Sequence, residues 1–229
     1  MVNWYLVEDD GRLTVVDAGL PKHADGFDEA LRDIGHALDD IEALVLTHGH
    51  SDHTGIAGFL RERDVPVHIH AEDADVLASG GQTKNEQGLL PYLRHGTAWR
   101  LLFHLAQGGG MRPPRIEDAA TFGDGDVLDV PGRPRVVHTP GHTNGHSSLH
   151  FESEAALFVG DALCTWNPLT GRDGPQIMPA AFDVSTDRCL ASLERIEGIQ
   201  ADLLLPGHGE PWTEGTVSAV GRAREAGRS

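Results

Sequence analysis

The chain has 229 residues, near the upper end of what one hydrophobic core supports, and no low-complexity linker divides it, so a single domain over residues 1–229 is expected. A net charge of −17 repels phosphate backbones and acidic membranes, which excludes nucleic-acid and membrane-surface partners that bind through Lys and Arg. Two cysteines, Cys164 and Cys189, are too few for a disulfide framework, and residues 1–10 carry neither a basic leader nor a long apolar run, so a cytoplasmic chain is expected.

Residues 2–7 and 12–17 read as two strands joined by Asp9-Asp10-Gly11, a hairpin signal, with Asp17 at the end of the second strand. Phe27, Ala30, Leu31 and Ile34 recur at helical spacing, and Gly35 ends that helix. Residues 41–46 form an apolar run of strand length that ends in Thr47-His48-Gly49-His50-Ser51-Asp52-His53. Ile56, Phe59 and Leu60 then suggest an amphipathic helix with Asp52 or Thr54 near its N-terminus. Four metal-binding side chains thus occupy one strand-to-helix turn. His48 and His50 are two apart, so an extended backbone puts both imidazoles on one side, within reach of one ion. Asp52 and His53 turn with the chain toward the helix and cannot comfortably reach that ion, so the spacing suggests two metals.

Residues 65–70 alternate as a strand does; His68 and His70 repeat the H-x-H spacing, but no turn motif follows and they read as strand residues. Residues 71–115 are the least regular. They hold a short helix near 72–77, a Gly80-Gly81 break, and a helical stretch near 89–106 with Tyr92, Trp99, Leu102 and Phe103, ended by three glycines and Pro113-Pro114. In the second half, strand residues fall within 118–130, at 135–138, 147–151 and 155–159, and at Leu203-Leu204-Leu205. Leu190, Leu193 and Ile196 mark a helix, and residues 214–229 read as a closing helix that frays.

The H-x-H-x-D-H run, with its strand before and helix after, resembles the signature of the metallo-β-lactamase-fold hydrolases. Three later segments resemble that family's remaining ligand turns, in the family order: Thr139-Pro140-Gly141-His142-Thr143, Phe158-Val159-Gly160-Asp161 and Leu205-Pro206-Gly207-His208-Gly209. The resemblance runs from near the N-terminus to residue 215. It implies an α/β fold, a four-layer αββα sandwich built from a pseudo-repeat, with a helical insertion near 71–115. It implies His48, His50 and His142 on one metal, Asp52, His53 and His208 on the second, and Asp161 bridging both. Asp17 would accept a hydrogen bond from a ligand histidine, a role compatible with an Asx turn before Gly19, and His146 would support the site from behind.

Three histidines and an open position suit Zn²⁺, with Mn or Fe as alternatives, so the expected cofactors are two divalent ions. Metal-bound water has its pKa lowered to near 7, so hydroxide is the nucleophile and no Ser or Cys is needed. Asp52 is the expected catalytic residue, orienting the hydroxide and carrying a proton to the leaving group. The expected activity is a dinuclear hydrolase of a small carboxylic ester or lactone. A glyoxalase II-like thioesterase, a β-lactamase and an iron-dependent oxidoreductase are the alternatives, and a silent scaffold is disfavoured because no ligand is missing. In resembling enzymes the insertion shapes the substrate pocket, so its aromatics suggest an apolar acyl or ring pocket; completing the core or a homodimer contact is their other role. The loop 166–175 should form a lip of the cleft, with Arg172 as a grip for a substrate carboxylate and Trp166 for ring stacking, or else be an ordinary turn-rich loop. Cys164 reads as a small buried apolar residue.

Overall fold

The structure is a computed structural model that describes residues 2–81 and 83–228; Met1 and Ser229, the two ends of the expected domain and the latter the expected frayed terminus, lie outside the described residues. The strands β1 (Tyr5–Asp9) and β2 (Arg12–Val16) pair antiparallel around Asp10 and Gly11, whose φ values of 50° and 76° give the turn a twist that matches the strands. Next come α1 (Phe27–Asp33), β3 (Ile41–Val45), α2 (Ala57–Arg61), β4 (Val67–His70), α3 (Ala74–Ser79), α4 (Gly96–Gly108) and β5 (Ala120–Phe122). Strands β2 to β5 are parallel neighbours, so the first sheet runs β1-β2-β3-β4-β5.

The second sheet is made by β6 (Arg135–His138), β7 (Ser147–Phe151) and β8 (Ala156–Gly160), all antiparallel. A small hairpin of β9 (Cys164–Trp166) and β10 (Asp173–Gln176) follows, then α5 (Thr186–Glu197). Strand β11 (Leu203–Pro206) adds parallel to β8, giving the order β11-β8-β7-β6, and α6 (Gly215–Ala226) closes the chain.

Period-two alternation sorts each strand's side chains between two layers. Leu13 and Val15 of β2 and Leu44 of β3 pack under Phe27, Leu31, Ile56, Leu60 and Leu77 of the first helical layer. Their neighbours Val16 and Val45 instead meet Val136, Leu149, Phe151 and Phe158 between the two sheets. On the far side, Leu157, Val159 and Leu204 pack against Leu193 and Ile196 of α5 and Ala219, Val220 and Ala223 of α6. The result is the αββα sandwich. Full burial of one Leu or Phe contributes roughly 1.5–3 kcal/mol, and a one-residue slip would reverse every such face, so this pattern fixes the register.

Three local expectations are revised. Residues 51–55 are a turn and α2 starts only at Ala57, because Ala18 donates to the His53 carbonyl and the Gly55 and Ile56 amides are spent on the Gly19 and Ala18 carbonyls. Helix α1 stops at Asp33 and buries only Phe27 and Leu31, so Ala30 within it and Ile34 after it are exposed. The stretch 89–106 divides into a 3₁₀ turn at Leu90–Tyr92, with Pro91 in it, and α4. Among the described residues no helix is long and apolar enough to cross a membrane.

Candidate metal centre

Four ligand-bearing loops leave strand ends on one edge of the sandwich: after β3, after β6, after β8 and after β11. Backbone bonds lock them together. Ser147 N donates to Thr47 O at 2.9 Å, and Gly207 N donates to Gly160 O at 2.8 Å, so the Asp161 and His208 loops run side by side. A Cβ at Gly207 would lie 2.2 Å from Asp161 Oδ1, so no larger residue fits beside that carboxylate.

All seven residues expected at the site are brought together. The ligand atoms of His48, His50 and His142 form one group, those of Asp52, His53 and His208 a second, and His48, His53 and Asp161 a third, each within 4.8 Å. Asp161 Oδ2 lies 3.3 Å from His142 Nε2 and 3.5 Å from both His53 Nε2 and His208 Nε2; Asp52 Oδ2 is 3.4 Å from His208 Nε2. Ligands about 2.0–2.1 Å from a tetrahedral ion stand about 3.3 Å apart, so these separations match the edges of a coordination shell. His48 Nε2, His53 Nε2 and Asp161 Oδ1 are buried with no hydrogen-bond partner. Each such atom costs roughly 1–3 kcal/mol if left unmet, a demand that divalent ions would satisfy. The residues fit a metal pair.

A further ring of contacts aims these side chains. Asp17, buried at φ 59°, accepts from Thr47 N at 2.8 Å and from His53 Nδ1 at 2.9 Å, which turns the other ring nitrogen of His53 to the cluster. His142 Nδ1 donates to Asp183 Oδ1 at 2.9 Å. The Thr83 hydroxyl accepts from His50 Nε2 at 2.9 Å and donates to Asn85 Oδ1 at 2.7 Å, leaving His50 Nδ1 for the cluster. His146 is no ligand: its Nε2 accepts from Asp161 N at 3.0 Å and its Nδ1 donates to Thr139 Oγ1 at 2.9 Å. It holds the backbone of Asp161 instead. Asp73 accepts from Gly49 N, Gly145 N and Thr143 Oγ1 at 3.0, 2.7 and 2.6 Å.

Sequence reasoning missed Asp73, Thr83 and Asp183, which have no local motif. It also missed a fourth grouping, away from the others, of His70, Glu72 and His138. There the two imidazoles stack face to face, 4.3 Å apart and 9° from parallel, so their in-plane lone pairs do not converge. Glu72 N donates to His70 Nδ1 and His138 Nε2 donates to Asn144 O. The pair ties the ends of β4 and β6 together.

A cavity of about 350 Å³ opens over the cluster. Its floor includes His50, Asp52, His142, Asp161 and His208; its far wall is Leu101, Leu105, Pro168, Met178 and Phe182. The 71–115 insertion therefore lines the cavity, but not through its aromatics. Trp99 and Phe103 are 58% and 60% exposed on the opposite face of α4, and Tyr92 packs with Ala98, Leu169 and Ala181. Arg172 is not in the lining; its guanidinium donates to Ala226 O. Cys164 is buried, and burial raises its thiol pKa well above the ordinary value, so it stays protonated and inert.

Charge differs between the two halves of the cluster. Burial together with the His53 charge depresses His48, and burial together with His142 pushes His50 down to about 3. Burial also opposes charging of His208, but the Asp161 and Asp52 carboxylates win and push it up to about 9. Asp52, despite burial, is held below the usual carboxylate range by His53 and His208. In protein stripped by a chelator the raised pKa of His208 contributes stability that is fully present below about pH 6.5 and lost as pH rises through about 9. The melting-temperature difference between stripped wild type and stripped His208→Asn should therefore shrink from pH 6.5 to 9. A constant difference would mean that His208 carries no proton in the stripped protein.

A family model described as the metallo-beta-lactamase superfamily matches residues 1–208. The chain is 29% identical over 210 residues to "Probable metallo-hydrolase YflN" of Bacillus subtilis (strain 168), covering 87% of this chain and 76% of that one. It is 28% identical over 202 residues to a hydroxyacylglutathione hydrolase of Xylella fastidiosa (strain 9a5c), covering 86% of this chain but only 54% of that protein. Among solved structures it is similar to a metallo-beta-lactamase family protein from Thermus thermophilus, with a TM-score of 0.69 at 25% identity, over 98% of this chain and 73% of that one.

Proposed function

The chain belongs to the metallo-β-lactamase superfamily and is a metal-dependent hydrolase; on that premise we propose that it uses a dinuclear centre to cleave small carboxylic esters or lactones. In this reading His48, His50 and His142 hold one ion, Asp52, His53 and His208 the other, and Asp161 joins them. The observation that carries it is the position of Asp161 Oδ2, which stands 3.3–3.5 Å from ligand nitrogens of both groups.

Bound there, the ions supply an acidified water at neutral pH and a Lewis acid for the substrate carbonyl. Zn²⁺ is the proposed metal, since neutral imidazoles with carboxylates suit it; Mn and Fe are the alternatives. The protein's share is placement. Asp17, Asp183 and Thr83 fix three ligand imidazoles in the tautomer that faces inward. Asp52 is ionised, side chain 21% exposed to the cavity, and takes up the proton that the attacking water gives up before returning it to the leaving alcohol.

The ester or lactone reading is favoured over the thioester by the apolar wall, which offers a substrate no charged side chain. Acid release followed with a pH indicator tests it, using lactones, aryl esters, a glutathione thioester and a β-lactam with Zn²⁺- or Mn²⁺-loaded protein against a chelated control. Metal-dependent turnover of lactones or esters is the expected result. Turnover confined to the thioester or β-lactam would reassign the bond. Silence across the panel, with oxygen uptake by iron-loaded protein, would overturn the hydrolytic reading of this site.

A further inference from the structure

We propose that Leu101 and Leu105 of α4 are specificity-determining residues that admit a neutral substrate with an apolar acyl chain and reject one whose acyl chain ends in a carboxylate. The inference rests on the hydrolase reading above and narrows its substrate class.

Leu101 and Leu105 are one helical turn apart, so both reach the cavity from the same face of α4, opposite the metal-ligating floor. Met178 and Phe182 complete a wall that offers an acyl chain contact but no charge. Of the neutral polar side chains along its edge, Thr83 and Asn85 are already committed, and the third is the Ser51 hydroxyl. Thr83 is spent between His50 and Asn85, and Asn85 Nδ2 donates to Ala181 O at 2.7 Å. No Lys or Arg stands in the described lining. The nearest in sequence, Lys84 beside Thr83 and Asn85 and Arg100 beside Leu101, are exposed, and Arg172 is bonded to Ala226 O. A substrate carboxylate pressed against this wall, away from the ligand-bearing floor, would leave water without a cationic side chain to meet it. Each methylene laid there instead should raise kcat/KM roughly threefold to fourfold.

The test uses the metal-loaded full chain with 4-nitrophenyl acetate, butyrate and hexanoate, and with the 4-nitrophenyl half-ester of glutarate as the length-matched anion. The expected result is kcat/KM rising by roughly tenfold for each two methylenes, with the half-ester at least about tenfold below hexanoate. Leu101→Arg should reverse that last preference by placing a guanidinium on the wall. Leu105→Ala, a milder change that keeps the test alive if Leu101→Arg folds poorly, should flatten the chain-length slope. Phe103→Ser, on the outer face of α4, should leave the slope as it is. Calorimetric binding of 2-pentanone, 2-heptanone and 2-nonanone gives a readout that needs no turnover. A flat slope with an equally good half-ester would overturn the inference and leave the hydrolase standing. Ketone affinity that grows with length in a protein that cleaves no ester would keep the wall and sink the ester reading. Ketone binding independent of length would overturn the inference by itself.

Discussion

Asp161→Ala is expected to lower bound metal from two ions per chain to one at most, and to lower turnover by roughly a thousandfold or more. Two dications about 3.5–4 Å apart repel by something on the order of 15–20 kcal/mol at an effective dielectric constant of 20, so the charge placed between them is the main offset. Asp161 is the carboxylate positioned for that: one oxygen faces nitrogens of both ligand groups and the other is buried without a partner. Losing it removes several kcal/mol of metal-derived transition-state stabilisation, and each 1.4 kcal/mol is a decade in rate. The fold should survive, because His146 and the Gly207–Gly160 pair hold the loop through the backbone. Metal analysis after exhaustive dialysis, beside kcat/KM, is the measurement, with circular dichroism to check folding. Asp161→Asn should fall between the two, keeping an oxygen but not the charge. Two tightly retained ions in Asp161→Ala would defeat the bridging assignment.

What was legible in the chain was what is local. His48, His50, Asp52 and His53 fall within six residues at the end of an apolar run, and His142, Asp161 and His208 each follow a strand of their own, so short patterns carried both the sandwich and the clustering of the candidate ligands. What was not legible depends on partners far along the chain. Ala18 and Gly19 take the hydrogen bonds that would have started α2 earlier, a competition no window over residues 51–60 reveals. On α4, Trp99 and Phe103 share the same spacing as Leu101 and Leu105, so periodicity could not say which pair faces in; bulk favoured the aromatics, and the seat of the helix over the cluster chose the leucines. Thr83 and Asp183 act on histidines 33 and 41 residues away.

Asp73 is the extreme case, and replacing it should cost more stability than any other residue behind the ligands. Its carboxylate is fully buried and accepts three hydrogen bonds: Gly49 N from the His48–His50 loop, and Gly145 N and Thr143 Oγ1 from the His142 loop. One side chain thus joins the two loops that supply the three-histidine group. Asp73→Ala strands three buried donors at roughly 1–3 kcal/mol each, partly recovered by relaxation and water, for an expected loss of about 3–5 kcal/mol. For a domain of this size that is a fall in melting temperature of roughly 10–15 °C. Asp73→Asn keeps one oxygen for Gly49 and Thr143 but turns an amide toward Gly145 N, so it should lose about half as much. Because the loops also set the spacing of His48, His50 and His142, affinity for the first ion should fall roughly 10–100-fold, as it does when other residues that orient ligands are lost. Thermal melts and a competitive chelator titration on the same samples separate the two effects. A melting temperature within about 2 °C of wild type would show that the loops do not depend on Asp73. A large fall in stability with unchanged metal affinity would show that it staples the backbone without aiming the histidines.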